Sequence, residues 1–158
     1  MDGQAWWITG ASSGIGAALA RALAREGARL VLSGRNVAAL EAVAADCGDS
    51  LILPFEATDF AALPALTARA WDWAGRVDGI VNNAGISQRS LAIDTDFGVY
   101  ERIIAVDLLA PIAFAQANLP HMLSAGGGHI IAISSVAGLA GVPLRTAYCA
   151  AKHGVVGY

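Results

Sequence analysis

The sequence predicts an α/β domain built on a doubly wound parallel sheet, and three observations carry that expectation. Short apolar runs alternate with segments of helical period along the whole chain. A glycine-rich turn follows the first run directly. The composition, 56% hydrophobic and only 15% charged over 158 residues, suits strands buried on both faces. That length fits one domain with its own core, and no repeat, linker or low-complexity stretch divides it.

Trp6-Trp7-Ile8, closing in Thr9-Gly10, reads as the first strand. Ile15, Leu19, Ala22 and Leu23 recur at helical spacing, and Gly27 marks the stop. Arg29 to Ser33 is a second strand closed by Gly34, and Val37 to Cys47 is Ala-rich and helical. Leu51 to Leu53, with Phe55, makes a third strand. Phe60 to Ala74 is a helix with Pro64 near its start, where proline is tolerated. Gly79 to Val81 is a fourth strand, stopped by Asn82-Asn83-Ala84-Gly85. A long helix runs from about Phe97 to Ser124; Pro111 predicts a kink inside it and Pro120 another near its end. His129 to Ile133 is the fifth strand, and a last helix opens near Thr146. Right-handed crossovers then order the strands 3-2-1-4-5.

Several classes of function fall away. The net charge is −3 with no basic run, so no footprint for nucleic acid exists. Met122 to Leu144 carries no Asp, Glu, Lys or Arg, but Gly126-Gly127-Gly128, Gly138, Gly141 and Pro143 break it. It reads as strand and loop, and no membrane span is expected there. No basic segment followed by an apolar one marks a signal peptide. Cys47 and Cys149 have neither metal nor redox spacing, so no metal site is expected. Two unpaired thiols suit a reducing compartment, and the cytoplasm is the expected location.

The chemistry gathers at the ends of the strands. Thr9-Gly10-Ala11-Ser12-Ser13-Gly14-Ile15-Gly16 lies between the first strand and the first helix. Glycines there let the backbone approach a pyrophosphate, and the helix N-terminus offers free N–H groups and a positive dipole end. Ser13 is placed to cap that helix. Where NAD-binding folds put an acidic residue on the ribose 2′-OH, this chain has Gly34-Arg35. A guanidinium without a competing carboxylate favours a 2′-phosphate, hence NADP(H) over NAD(H). A solvated arginine after a strand is the plainer alternative.

Ser134-Ser135 closes the fifth strand, and Tyr148 and Lys152 follow at i, i+4 on the last helix. A tyrosine titrates near pH 10 when unperturbed, and a neighbouring ammonium stabilises its phenolate and brings it toward neutral pH. A serine hydroxyl holds a carbonyl oxygen beside it, and the set polarises that carbonyl for hydride transfer. Each part alone has an ordinary structural reading, a packed ring beside a solvated amine or serines that merely end a strand.

Thr9 to Gly16, Asn82 to Gly85, Ser135 and Tyr148-Cys149-Ala150-Ala151-Lys152 together resemble, in order and spacing, the signature set of the short-chain dehydrogenases/reductases. The resemblance covers all 158 residues and implies a Rossmann-type fold and a small-molecule carbonyl or alcohol substrate. It implies Tyr148 as general acid/base, Lys152 on the nicotinamide ribose and Ser135 on the substrate oxygen. By the same resemblance, Gly10, Ser12, Ser13, Gly14, Ile15 and Gly16 are expected to line the pyrophosphate. The resemblance also implies that Asn83, Ala84 and Gly85 support the adenosine side, and Arg35 matches the position used by NADP(H)-preferring members.

Two positions depart from the family pattern. Asp107, within Val106-Asp107-Leu108, replaces the asparagine counted as a fourth catalytic residue. A carboxylate near Lys152 opposes the lysine's effect on Tyr148. Glu56 stands where an aspartate usually contacts the adenine. Family members also continue past the last helix, so the expected fold is truncated after the fifth strand and the start of the following helix. That strand is then an exposed apolar edge, and a homo-oligomer is expected of a complete form. The functional alternatives are a catalytically silent NADP(H)-binding or interaction module, or an inactive fragment.

Overall fold

Strands and helices alternate along residues 1–158 of the computed structural model. Strands β1 (Ala5–Thr9), β2 (Arg29–Ser33), β3 (Ser50–Ile52), β4 (Gly79–Asn82) and β5 (His129–Ala132) form one sheet. Every pairing is parallel and the order is β3-β2-β1-β4-β5, as expected from the crossover rule. Helices α1 (Gly14–Arg25), α2 (Val37–Ala45), α3 (Leu63–Ala74), α4 (Phe97–Ile104), α5 (Ala110–Ser124) and α6 (Thr146–Gly157) connect and flank it.

The two faces of the sheet divide the core by the period of two along each strand. Trp6 and Ile8 of β1, Leu30 and Leu32 of β2 and Val81 of β4 pack with α1 and α2 residues Ala17, Ala20, Leu40 and Val43. Trp7, Val31 and Ile80 face the other way, against Leu66 and Ala70 of α3 and Phe114, Ala115 and Met122 of α5. The buried Trp7 indole donates to Ser33 Oγ at 2.8 Å, so its polar edge stays satisfied. Trp6 pairs in register with Gly79, whose missing side chain leaves room for the indole; a Cβ there would overlap the ring.

Two sequence expectations change in detail. The third strand ends at Ile52 rather than reaching Phe55. Pro54 has no N–H to continue the ladder, although Leu53 N–H still reaches Leu32 O at 3.0 Å. The expected kink at Pro111 is replaced by a π-helical turn, Ala105–Leu109, that joins α4 to α5. Pro111 sits in the first turn of α5, immediately after the widened turn. The ring of a proline collides with the carbonyl four residues back, and a π turn displaces that carbonyl. Pro120 lies inside α5, which continues through it to Ser124.

The continuous run Phe97–Ser124 is 28 residues long and contains an 18-residue stretch of mean hydropathy 1.5, long and apolar enough to cross a bilayer by those measures. Here it is a helix of the fold, with Phe114, Ala115 and Met122 in the core and Asp107 and Asn118 buried. At the opposite edge from β3, all four residues of β5 are exposed, including Ile130 and Ile131.

Candidate functional site

β1 delivers its last residue, Thr9, to the C-terminal edge of the sheet, and the side chain ties two loops together. Thr9 Oγ1 donates to Val81 O at 3.2 Å and accepts the N–H groups of Asn83 (3.0 Å) and Ala84 (3.2 Å). Asn83 Nδ2 returns the contact, donating to Thr9 O (3.0 Å) and Gly10 O (3.2 Å). The glycine loop after β1 and the Asn-Ala-Gly loop after β4 are thus one hydrogen-bonded unit. Gly10 takes φ +66°, in the left-handed region that favours glycine. Gly16 faces the Gly10 carbonyl so closely that a Cβ would overlap it.

Ser13 occupies the N-cap position of α1 in an extended conformation, but its side chain makes no capping bond, contrary to expectation. Its carbonyl accepts Ala17 N–H at 3.2 Å instead. The first N–H groups of α1 are left unspent by any side-chain cap, and it is these groups that attract an anion.

In front of this loop lies a cavity of about 720 Å³. Gly10, Ser12, Ser13 and Ile15 line it from the glycine loop, and Asn83, Ala84 and Gly85 from the loop after β4. Arg35, after β2, and Glu56, after β3, face each other within it, with Nη1 and Oε2 3.4 Å apart. Gly14 and Gly16 do not line it; they shape the loop behind. Phe55, Thr58, Ile86, Arg102 and Val106 also line it and were not singled out from the sequence. Phe55 and Thr58 follow the end of a parallel strand, which is where open α/β sheets bind ligands, and that rule alone points to them.

Tyr148, Lys152 and Asp107 form a second group beside the cavity. Tyr148 and Lys152 share a face of α6, with Lys152 Nζ 5.6 Å from the phenol ring centroid. Lys152 is buried; its Nζ donates to Ile133 O at 3.0 Å and lies 3.5 Å from Asp107 Oδ2. Asp107, on the π turn, is fully buried, and its Oδ1 accepts Ile86 N–H at 2.8 Å. Ile86 lines the cavity, so one carboxylate links the cavity wall to the lysine. Ser135 caps a short 3₁₀ turn, Val136–Gly138, that packs on α6; its Oγ accepts Ala137 N–H at 3.2 Å. Its hydroxyl proton remains available to donate.

The family model described as short chain dehydrogenase matches residues 4–158. This chain belongs to the short-chain dehydrogenase family. It is 41% identical over 160 residues to the human protein named dehydrogenase/reductase SDR family member 7, covering 96% of this chain and 47% of that protein. A Drosophila melanogaster relative, dehydrogenase/reductase SDR family protein 7-like, is 35% identical over 97% of this chain and 49% of its own length. The chain therefore spans about half the length of these curated relatives. Among solved structures, levodione reductase superposes with a TM-score of 0.95 at 30% identity, over 99% of this chain and 64% of that one. A metagenomic short-chain oxidoreductase in complex with NADP superposes with a TM-score of 0.92 at 38% identity, over 99% and 73%.

In this short-chain dehydrogenase family member, α6 is held against the loop after β4 by residues the sequence did not advertise. Gln88 Oε1 accepts Tyr148 N–H at 3.2 Å, and Gln88 Nε2 donates to Thr146 Oγ1 at 3.3 Å. Thr146 Oγ1 also meets Tyr100 OH at 2.7 Å, and Arg145 Nη1 donates to Ser87 Oγ at 2.7 Å. These bonds join positions 46 to 60 residues apart, so no local spacing reveals them.

Burial pushes the Asp107 carboxyl above its ordinary range; the Ile86 N–H and the Lys152 ammonium pull it back without cancelling the shift. The folded chain therefore holds this proton more tightly than the unfolded chain does. The stability that Asp107 contributes is full below its unfolded value and is lost as pH rises through the raised folded value. Asp107→Asn keeps an acceptor for Ile86 and removes that dependence. The midpoint difference, variant minus wild type, is expected to grow as pH rises from the ordinary carboxylate value, about 4, through the raised folded value. Losing the counter-charge of Lys152 offsets part of any gain, so the slope of the difference carries the test. Thermal melts that run parallel across this range would show the carboxyl unperturbed.

Proposed function

We propose that this short-chain dehydrogenase is an NADP(H)-dependent oxidoreductase that interconverts a carbonyl compound and an alcohol. The observation that carries the reading is Lys152, buried within reach of Tyr148 at the sheet edge beside the glycine-loop cavity. A cavity of about 720 Å³ lies within the roughly 300–1,000 Å³ of small-molecule and cofactor sites. Its floor suits a dinucleotide: a left-handed Gly10, an uncapped helix N-terminus and a Gly16 that admits no Cβ. NADPH supplies the hydride when bound.

The chain's own residues do the rest. Gly10, Ser12, Ser13, Ile15 and the first turn of α1 hold the pyrophosphate, with Gly14 and Gly16 shaping the turn. Asn83, Ala84 and Gly85 form the wall on the adenosine side. Tyr148 gives its phenolic proton to the developing alkoxide and takes it back in the reverse direction. Lys152 stabilises the phenolate with its charge, and Ser135 donates its free hydroxyl proton to the same substrate oxygen. Asp107 holds Lys152 and the backbone of Ile86 in register.

Arg35 selects the 2′-phosphate. Support comes from its place in the cavity and from a structural relative, 38% identical, that was solved in complex with NADP. Arg35→Ala is expected to weaken NADPH binding about tenfold, the scale of a charge-assisted hydrogen bond, and to leave NADH nearly unchanged. Fluorescence titration with both cofactors reads this directly; equal weakening of the two would remove Arg35 from the selection. A second reading, a cofactor-binding module without turnover, is favoured by the carboxylate of Asp107 beside Lys152. Tight NADPH binding with no carbonyl reduction across a panel of ketones and aldehydes would establish it.

A further inference from the structure

We propose that Glu56 is a specificity-determining residue that competes with a ribose 2′-phosphate for Arg35, and so limits the preference for NADP(H) over NAD(H). The inference rests on the cavity binding a dinucleotide with its adenosine ribose near Arg35. Arg35, Glu56 and Arg102 are the only charged residues lining the cavity, which makes Glu56 its one anion. Glu56 lies 3.4 Å from Arg35 Nη1, and Arg35 has no other side-chain partner. Arg102, by contrast, makes no ion pair.

The backbone holds this pair together rather than leaving it to chance. Phe55 N–H donates to Gly34 O at 3.2 Å, which ties the loop after β3 to the Gly34-Arg35 turn. Asp59 N–H donates to Glu56 O at 2.9 Å and closes a turn on the other side. The backbone at Glu56 is therefore held beside the Gly34-Arg35 turn, which keeps its carboxylate within reach of the guanidinium. Both side chains are largely solvated, 72% and 45% exposed, so the pair adds little to folding. Its effect falls on the ligand. A 2′-phosphate must displace the carboxylate from Arg35 and then sit beside it, whereas a 2′-hydroxyl does neither.

The test is calorimetric titration of the chain with 2′,5′-ADP and with 5′-AMP, in wild type, Glu56→Gln, Arg35→Ala and the double variant. Glu56→Gln should tighten 2′,5′-ADP by about threefold or more and leave 5′-AMP unchanged, the scale of one exposed charge pair. The gain should vanish when Arg35 is already Ala, because the competition acts through that guanidinium. A gain that persists without Arg35, or a Glu56→Gln variant that weakens 5′-AMP, would overturn the proposal. The latter would assign Glu56 to the adenine instead. If wild type binds 5′-AMP and Glu56→Gln leaves the ratio of the two ligands unchanged, this inference alone falls. If wild type binds neither, the dinucleotide reading of the cavity falls with it.

Discussion

Replacing Tyr148 by Phe is expected to lower NADPH-dependent carbonyl reduction by about 10²- to 10⁴-fold, the usual scale of a lost general acid. Cofactor affinity should stay nearly the same. The ring packs against the small cluster of Ile103, Ala147 and Ala151, and Phe keeps that packing; Tyr148 N–H still reaches Gln88 Oε1. Only the phenolic proton and its phenolate disappear. A drop in kcat/KM that appears equally in kcat marks an interaction made only in the transition state. Steady-state kinetics beside fluorescence titration of NADPH separate the two effects. Loss of cofactor binding in Tyr148→Phe, or turnover within about threefold of wild type, would remove the tyrosine from the chemistry.

Thr9→Val is expected to lower stability by about 2–3 kcal/mol and to weaken dinucleotide binding along with it. Valine fills the same volume but gives the Asn83 and Ala84 N–H groups no acceptor, and leaves Val81 O without its donor. A half-buried N–H left unpaired costs far more than the net worth of the bond it made. The damage falls on the seam between the glycine loop and the loop after β4, which is the wall of the cavity. Thermal melts with and without NADPH test both parts, since a ligand bound only by the folded chain raises the midpoint. A variant as stable as wild type would mean that water replaces the hydroxyl at both amides. Thr9→Ser, which keeps the oxygen, should recover most of the loss.

Much of the architecture is legible along the chain because the sheet is parallel and its inner strands β1, β2 and β4 are buried on both faces. Those inner strands read as apolar runs closed by glycine or asparagine, and right-handed crossovers leave little choice of order. The glycine loop and the Tyr148–Lys152 spacing are legible for the same local reason, since a turn and one helical face are short-range objects. The rest depends on pairings between distant segments. The Arg35–Glu56 pair joins the ends of neighbouring strands 21 residues apart. The Thr9 hydroxyl meets Asn83 and Ala84 across more than 70 residues. Ser13 looks like a capping residue by type, yet its rotamer spends nothing on the helix. Asp107 is recognisable as a departure, but its contact with Ile86 depends on a helix irregularity that proline spacing alone did not specify.

The π turn between α4 and α5 has a consequence for how one rod serves two partners. Each residue of an α-helix advances the side chains by about 100°, so one additional residue in a turn rotates everything beyond it by that amount. Before the turn, Ile103 packs with Ala147 and Ala151 of α6. Beyond it, Phe114, Ala115 and Met122 meet the sheet and α3. A uniform helix would keep both sets on a fixed phase and force a choice between them. The widened turn sets that phase, and Asp107, seated at the point of rotation, is directed inward to the lysine of α6.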